Sequence, residues 1–196
     1  MDAIDALTTR ASPAGLVAPA PDAHALDQML HAAIRAPDHG RLRPWQFILI
    51  DGAAREALGD VLAGALRRRE PGVAEPAVVK ERAKPLRAPL IVVVAAKLRE
   101  HRGVPPVEQV IAAGAAAQNM LVAAHALGFG GFWRTGAPAY DDTVKRALGL
   151  RAEDAIVGFL YLGTPAGAPI TATASDVASH VSHWTGPVDH GAEKLP

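Results

Sequence analysis

Six consecutive apolar residues, Leu90 to Ala95, restrict the folds that this chain can adopt. The run reads Leu-Ile-Val-Val-Val-Ala, and its β-branched residues favour a strand. Because both faces of such a strand are apolar, it has to lie in the interior of a sheet that is covered on each side. Three more apolar runs predict strands at 45–50, 129–134 and 155–162.

Segments with helical spacing separate these strands. They cover residues 2–9, 22–36, 53–70, 75–86, 105–127 and 141–148. Asp22 is expected to cap the second of these helices, and Pro37 to end it. Strands that alternate with helices predict a mixed α/β layer structure, although the order of the strands does not follow from the pattern.

The helix predicted at 105–127 is expected to be the central helix of the fold. Prolines open it, Gly128 stands at its C-cap, and its many alanines allow other backbones to approach closely. The apolar stretch 110–129 is about as long as a membrane span requires. It nevertheless contains Gln118, Asn119 and His125. We therefore expect a buried helix and no membrane span.

Composition excludes several classes of protein. The chain has 196 residues, 20 basic and 20 acidic side chains, and no cysteine. The zero net charge argues against a nucleic-acid binder, since such proteins usually carry a basic excess. Without cysteine there can be no disulfide, thiolate zinc site, iron–sulfur cluster or cysteine nucleophile. A chain without cysteine suits a reducing compartment, and the acidic first residues do not resemble a secretory signal. We therefore expect a cytoplasmic protein.

Familiar catalytic motifs are missing from the sequence. There is no GxSxG nucleophile elbow and no GxxxxGK[ST] phosphate loop, and the glycines at 128–131 do not complete the GxGxxG fingerprint. A zinc site in the C-terminal tail is one interpretation of three histidines near two carboxylates, and solvated tail side chains are the other. These residues are His180, His183, His190, Asp176 and Asp189.

Three short segments concentrate polar groups beyond what helices and strands require. Arg10 and Ser12 offer the hydrogen-bond donors that suit a phosphate monoester. The alternative is an ordinary helix end followed by a turn. The loop within 35–47 carries three arginines and a histidine, which suit an anionic or planar heteroaromatic ligand. The alternative is a solvated loop. The segment 128–136 combines glycines, which let a ligand approach the backbone, with a Trp-Arg-Thr triplet, and it is therefore a second candidate pocket. The alternative is a strand with bulge glycines.

Taken in order, these segments resemble the FMN-dependent nitroreductase family, in its small single-domain NAD(P)H nitroreductase branch. The resemblance covers residues 1–165 and rests on five motifs in register. They are Arg-x-Ser at 10–12, Ala-Pro-Asp-His and Pro-Trp-x-Phe within 36–47, Arg-Ala-Pro-Leu-Ile at 87–91, Gly-Phe-Gly-Gly-x-Trp-Arg at 128–134, and Val-Gly-Phe-Leu-Tyr-Leu-Gly-Thr-Pro at 157–165.

The resemblance implies an α+β fold of three layers, α/β/α, in which helices flank a mixed sheet and a long helix is central. It also implies a domain-interleaved homodimer with FMN in a cleft at the subunit interface. Residues 1–165 would form the FMN-binding domain. Residues 166–196, which are rich in Pro, Gly, Ser, Thr and His, would form an extended or partly disordered tail.

The family motifs also imply which residues bind the cofactors. Arg10, Ala11 and Ser12 would hold FMN, with Arg10 and Ser12 directed toward its phosphate. Arg35 and His39 would reach the same flavin from the partner subunit. The pocket would be completed by Trp133, Arg134 and Thr135. The nicotinamide nucleotide would be bordered by Ala123, Ala124, His125, Ala126, Leu127 and Gly128.

The implied activity is that of an FMN-dependent oxidoreductase. Hydride would pass from NADH or NADPH to flavin N5 and then to a nitroaromatic, a quinone or a similar oxidant, with no catalytic side chain and no metal. Two residues depart from the family pattern: Ala11 replaces a common second arginine, and Arg41 replaces Asn or another polar residue. Loss of a cation at Ala11 leaves a non-catalytic flavin carrier or sensor as an alternative, and the tail histidines leave a metal-dependent enzyme as another.

Overall fold

The computed structural model describes residues 1–167, 170 and 176–187 of the chain. Its helices are α1 (Ala3–Thr9), α2 (Ala23–Ala33), α3 (Ala54–Arg69), α4 (Glu75–Arg82), α5 (Pro106–Ala126) and α6 (Asp142–Ala147). Its strands are β1 (Leu16–Val17), β2 (Trp45–Asp51), β3 (Leu90–Ala96), β4 (Gly130–Arg134) and β5 (Ala155–Pro165). Short 3₁₀ helices lie at His39–Arg41, Lys84–Arg87, Ala137–Tyr140 and Val177–His180.

Side-chain caps and prolines set the ends of the helices. Asp22 caps α2 as expected, since its Oδ1 accepts a 2.8 Å hydrogen bond from the Ala25 N–H. The same helix ends at Ala33, before the expected residue 36. α4 also ends earlier than expected, because Pro85 has no N–H to continue the α-helical ladder and the chain tightens into a 3₁₀ helix.

β3 and β5 form the centre of the sheet. β3 pairs with β2 on one side and with β5 on the other, and β5 also pairs with β4 and, at its C-terminal end, with β1. The short strand β1 was not expected, because two residues are too few for an alternating pattern to be recognised. The interior position predicted for the Leu90–Ala95 run is confirmed.

The direction of the strands differs from the expected mixed sheet, since every pairing in the described part of the chain is antiparallel. α3 and α4 pack against each other as a helical hairpin. This hairpin returns the chain to the end of the sheet where β2 finished, so that Leu90 enters β3 opposite Asp51. A single crossover helix would instead have produced a parallel neighbour.

The sheet is covered on both faces, as β3 requires. Leu90, Val92 and Val94 pack with α2 and α5 in one core, whereas Ile91 and Val93 pack with α3 and α6 in the other. All seven residues of β3 are buried. The α+β fold class and its three-layer α/β/α arrangement are therefore confirmed.

α5 is the central helix, as expected. It contributes buried alanines and Met120 to the first core, and small side chains there allow close packing of α2. None of the helices in the described part of the chain is long and apolar enough to cross a bilayer.

The C-terminal region holds more regular structure than expected. β5 continues to Pro165, past the predicted end at Leu162, because it pairs there with β1. Val177–His180 forms a 3₁₀ helix whose N-cap is Asp176, with a 3.1 Å hydrogen bond from the Ala178 N–H. The division of the chain at residue 165 stays a prediction.

Candidate functional site

The segment after α1 presents a guanidinium beside a hydroxyl. Arg10 is the C-cap of α1, and its Nη1 donates a 3.2 Å hydrogen bond to Ser12 Oγ. Arg10 forms no ion pair with a carboxylate of the described residues. Both donors are thus available to the oxygens of a phosphate group.

A cavity of about 330 Å³ joins this segment to the end of α5. Ala11 and His125 both line it, together with Thr9, Pro13, Phe129 and Gly130. The structure therefore brings together one residue of the predicted FMN group and one of the predicted nicotinamide group.

The hydrogen bonds of Thr9 determine which nitrogen of His125 carries a proton. Thr9 Oγ1 donates to the Asp5 carbonyl at 2.6 Å, so its oxygen accepts from His125 Nε2 at 2.9 Å. The neutral imidazole then has a free acceptor at Nδ1. His125 can accept a hydrogen bond from a ligand in this cavity.

The helix directs the other residues of the predicted nicotinamide segment to different surroundings. Ala124 is fully buried in the core, so its side chain cannot touch a ligand. Ala123 and Ala126 instead line an open cavity of about 530 Å³ with Arg35. Gly128 follows the helix with φ +84°, a left-handed conformation that glycine adopts without strain.

Trp133 and Arg134 project to opposite faces of the sheet, as neighbours on a strand do. Trp133 packs on the α2 and α5 side, where its Nε1 donates a 3.2 Å hydrogen bond to the Val157 carbonyl. The indole covers Gly158, at which a Cβ would lie only 2.1 Å from Nε1. The two side chains thus point to opposite faces of the sheet, although both residues line one cavity.

Arg134 lies on the α3 side in a cavity of about 290 Å³ that Thr135 also lines. Its Cζ is 3.9 Å from the centroid of the Phe132 ring, a cation–π distance. Its Nε is buried and has no hydrogen-bond partner within the described residues. A buried donor without a partner costs about 1–3 kcal/mol, and an acceptor group on a ligand would remove that cost.

Lys84 and Arg87 line the same cavity and were not among the predicted site residues. A signal was available, since both directly precede the central strand and Arg87 belongs to a family motif. Burial raises the pKa of Tyr161, although the positive charges of Arg134 and Arg87 oppose that shift. Tyr161 is therefore neutral at pH 7.

The loop before β2 lies near the other end of α5. There His39 Nδ1 contacts Glu108 Oε2 at 2.5 Å. Arg41 and Arg43 both have left-handed backbones, with φ of +54° and +48°. Such conformations cost roughly 1–3 kcal/mol for residues other than glycine, and they concentrate at functional sites.

Two of the predicted FMN residues lie near opposite ends of α5. His39 pairs with Glu108, in the first turn of α5, whereas Ala11 shares a cavity with His125, in its last turn. At 1.5 Å per residue these two positions on α5 are about 26 Å apart. One copy of the chain therefore holds two incomplete groups.

The zinc interpretation of the tail can be followed only in part. His180 and His183 are described, whereas Asp189 and His190 lie outside the described residues. Within residues 1–167, 170 and 176–187, no three histidine or acidic side chains gather as a metal site would require.

Comparison with known proteins identifies the family. The profile of the Nitroreductase family matches residues 10–164 of this chain. The chain belongs to the nitroreductase family. The match contains four of the five motifs in full and the fifth up to its last residue, so the family prediction is confirmed.

Related nitroreductases are similar over most of their length. The Escherichia coli K12 protein named "Putative NAD(P)H nitroreductase YdjA" is 46% identical over 166 residues, which are 84% of this chain and 89% of that protein. A Haemophilus influenzae protein named "Putative NAD(P)H nitroreductase" is 36% identical over 165 residues, with the same shares covered.

Solved nitroreductase structures share the fold. A nitroreductase-like protein from Bacillus cereus has a TM-score of 0.78 and 24% identity, covering 95% of this chain and 97% of that one. A Desulfovibrio desulfuricans nitroreductase described as in complex with FMN has a TM-score of 0.70 and 25% identity, covering 94% and 97%.

Proposed function

We propose that this chain is an FMN-dependent oxidoreductase that takes hydride from NADH or NADPH and delivers it to a nitroaromatic, a quinone or a similar oxidant. Relatives named as NAD(P)H nitroreductases support the reductant, and the FMN complex of a structural relative supports the cofactor. The observation that carries the proposal in this chain is the buried Nε of Arg134, which has no partner among the described residues and lies in a cavity that Arg87 also lines.

The residues present suit FMN in both of its chemical parts. Arg10 and Ser12 offer donors for the phosphate without a competing carboxylate among the described residues. The cavity around Arg134 offers donors and the aromatic surfaces of Phe132 and Tyr161, which suit a planar heteroaromatic ring. We infer that both regions, with Ala11 and Thr135, contact the cofactor.

When bound, FMN supplies the hydride-accepting and hydride-donating centre, so no side chain has to act as nucleophile or general base. Arg134 is held in place by the Phe132 ring and cannot lose its proton. Its fixed positive charge, with that of Arg87, would stabilise negative charge on a bound flavin; Lys84 in the same cavity is paired with Glu81 and would add less. His125 lines the neighbouring cavity, where its ring can accept a hydrogen bond from a donor group of the reductant.

We further propose that two copies of the chain form each site. The 26 Å estimate along α5 means that His39 and Ala11 can contact one flavin only if they come from different subunits. The surfaces of α1 and α5 also leave large apolar side chains exposed, as a dimer interface requires. They are Ile4, Leu7, Val107 and Ile111, at 67%, 54%, 60% and 64% exposure.

We assign residues 1–165 to the flavin-binding domain, and we propose that the protein is located in the cytoplasm. The family match ends at residue 164, close to the end of β5, which supports this boundary. The lack of cysteine supports a reducing compartment. Fractionation of cells that express the tagged chain measures the location directly.

Ala11 favours one other function, that of a flavin carrier or sensor without turnover. It lines the cavity next to the Arg10 segment and supplies no charge where the family pattern implies a second arginine. Fewer cations near the phosphate weaken flavin retention, because each charge-assisted hydrogen bond contributes about 1.5–3 kcal/mol.

The absorbance spectrum of the purified protein tests the proposed function. We expect a yellow protein whose flavin absorbance is bleached by NADH or NADPH without oxygen and restored by a quinone. A protein that stays colourless after incubation with FMN contradicts the proposal. Flavin that binds but is reduced by neither nucleotide supports the carrier instead.

A further inference from the structure

A larger cavity, of about 890 Å³, lies outside the groups described above. It is formed by the loop that connects β3 to α5 and by residues 151–153, which precede β5. Its volume falls within the range of roughly 300–1,000 Å³ that small-molecule sites occupy. Nothing in the proposed flavin site uses it.

Two buried polar side chains hold this connecting loop in place. Gln109 is 1% exposed; its Oε1 accepts from the Arg99 N–H at 3.0 Å, and its Nε2 donates to the Arg99 carbonyl at 2.8 Å. Asp154, also 1% exposed, accepts a 3.0 Å hydrogen bond from the Leu98 N–H. Because burial of polar groups is costly unless they are hydrogen-bonded, these contacts specify one loop conformation. A preorganised loop binds a ligand with a small entropic cost.

The loop directs cations toward the cavity. Arg99, His101 and Arg102 line it, and neither arginine forms an ion pair with a described residue. On the opposite wall Arg151 pairs with Glu153 at 3.1 Å and with buried Asp154 at 2.7 Å, so this wall has no free cation among the described residues. Glu100 also lines the cavity and contributes one negative charge. The side of the cavity that the loop forms is therefore net positive, with Arg99 and Arg102 against Glu100.

The cavity adjoins the loop expected to meet the partner's flavin. A Cβ at Gly40 would lie 3.0 Å from Val104 Cγ2 and 3.8 Å from His101 Cε1. Gly40 directly follows His39, which contacts Glu108 in the first turn of α5. A dinucleotide whose nicotinamide reaches the flavin near His39 can therefore extend into this cavity.

We propose that Arg99 and Arg102, with His101, bind the ribose 2′-phosphate of NADPH and make this chain prefer NADPH to NADH. A phosphate monoester carries the charge and the oxygens that two guanidinium groups recognise, whereas NADH has only a hydroxyl at that position. The inference rests on the proposed function, since it names which reductant the flavin site receives.

Ligand titrations of the FMN-incubated full chain by calorimetry test the inference without turnover. We expect adenosine 2′,5′-bisphosphate to bind about tenfold or more tighter than adenosine 5′-monophosphate. The double variant Arg99→Gln and Arg102→Gln abolishes this difference. Arg68→Gln, an exposed arginine on α3 outside the cavity, preserves it. Thermal unfolding of each variant checks that the fold is intact, and the separate single variants replace the double variant if it fails to fold.

Steady-state kinetics give the second readout. In the double variant the KM for NADPH rises about tenfold or more, while that for NADH changes less than about twofold. Equal binding of the two adenosine nucleotides overturns the inference, as does a difference that persists in the double variant. Loss of inorganic phosphate binding in that variant, without discrimination between the nucleotides, identifies a general phosphate site and also overturns it. The titrations measure nucleotide binding even if the flavin is never reduced. Failure of the proposed function can therefore be distinguished from failure of this inference.

Discussion

Replacement of Asp154 by alanine is expected to destabilise the whole chain and not only the loop that it supports. Its carboxylate accepts four hydrogen bonds: from the Leu98 N–H at 3.0 Å, from the Arg151 N–H at 2.9 Å, and from Arg151 Nε and Nη2 at 3.2 and 2.7 Å. It therefore joins the end of β3 to the segment before β5, the two central strands of the sheet.

The expected loss follows from the donors that remain. Two backbone N–H groups lose their acceptor, and each such loss costs about 1–3 kcal/mol when water cannot fully replace it. The Arg151 side chain is 52% exposed, so its guanidinium can turn to water and adds little. We expect Asp154→Ala to lower the free energy of unfolding by about 2–4 kcal/mol. Asp60→Ala is the matched control, because Asp60 forms an exposed ion pair with Arg82 and should cost less than about 1 kcal/mol.

The same residue predicts a pH dependence. Burial alone would raise the pKa of Asp154, but the hydrogen bonds from Arg151 and Leu98 and the charge of Arg151 lower it below its ordinary value. A carboxyl group whose native pKa is depressed stabilises the fold above its unfolded pKa of about 3.9. That contribution disappears as the pH falls through the native pKa.

Urea unfolding at a fixed protein concentration measures both effects. We expect the difference between the original chain and Asp154→Ala to be largest at pH 7 and to shrink below about pH 4. A difference no larger than that of Asp60→Ala, or one that stays constant down to pH 3, would refute the reasoning.

Three further substitutions test the site, the sheet and the proposed interface. Arg10→Ala should weaken FMN binding by about 1.5–3 kcal/mol, because one charge-assisted hydrogen bond is lost; fluorescence titration measures it, and unchanged affinity shows that Arg10 does not hold the phosphate. Gly158→Ala places a methyl group 2.1 Å from Trp133 Nε1 and should cost about 1–3 kcal/mol in thermal unfolding, whereas Gly64→Ala, with ordinary contacts, should be tolerated. Ile111→Asp puts a charge on the exposed face of α5, so light scattering should report a monomer that retains little flavin; a flavin-loaded dimer would contradict the interface.

The secondary structure was largely predictable, because it depends on local patterns. β3 was recognisable as an interior strand from its β-branched residues, and α5 from its prolines, alanines and terminal glycine. The errors lie where longer-range contacts decide. β5 is longer than predicted because β1 pairs with its end, and β2 and β3 are antiparallel because two helices, α3 and α4, connect them.

The candidate site was predictable from segments rich in polar groups, to which the family motifs gave a common ligand. They pointed to Arg10, Ser12 and Arg134, but a motif does not show which side chains share a cavity. Lys84 and Arg87 join Arg134 there because the 3₁₀ helix before β3 packs against α3, whose Leu62 lines the same cavity. The connecting loop at 99–102 belongs to none of the five motifs, and its role depends on the buried Gln109 and Asp154 that hold it.

By itself, the sequence determined the helices, the interior strand and the family, since these depend on residue periodicity and on motifs that are local in the chain. Only the tertiary structure decided that Trp133 and Arg134 face different layers and that Arg134 keeps a buried donor without a partner among the described residues. It also separated His39 from Ala11 by nearly the length of α5. These properties follow from strand pairing and helix packing between residues distant in the chain, which no local pattern encodes.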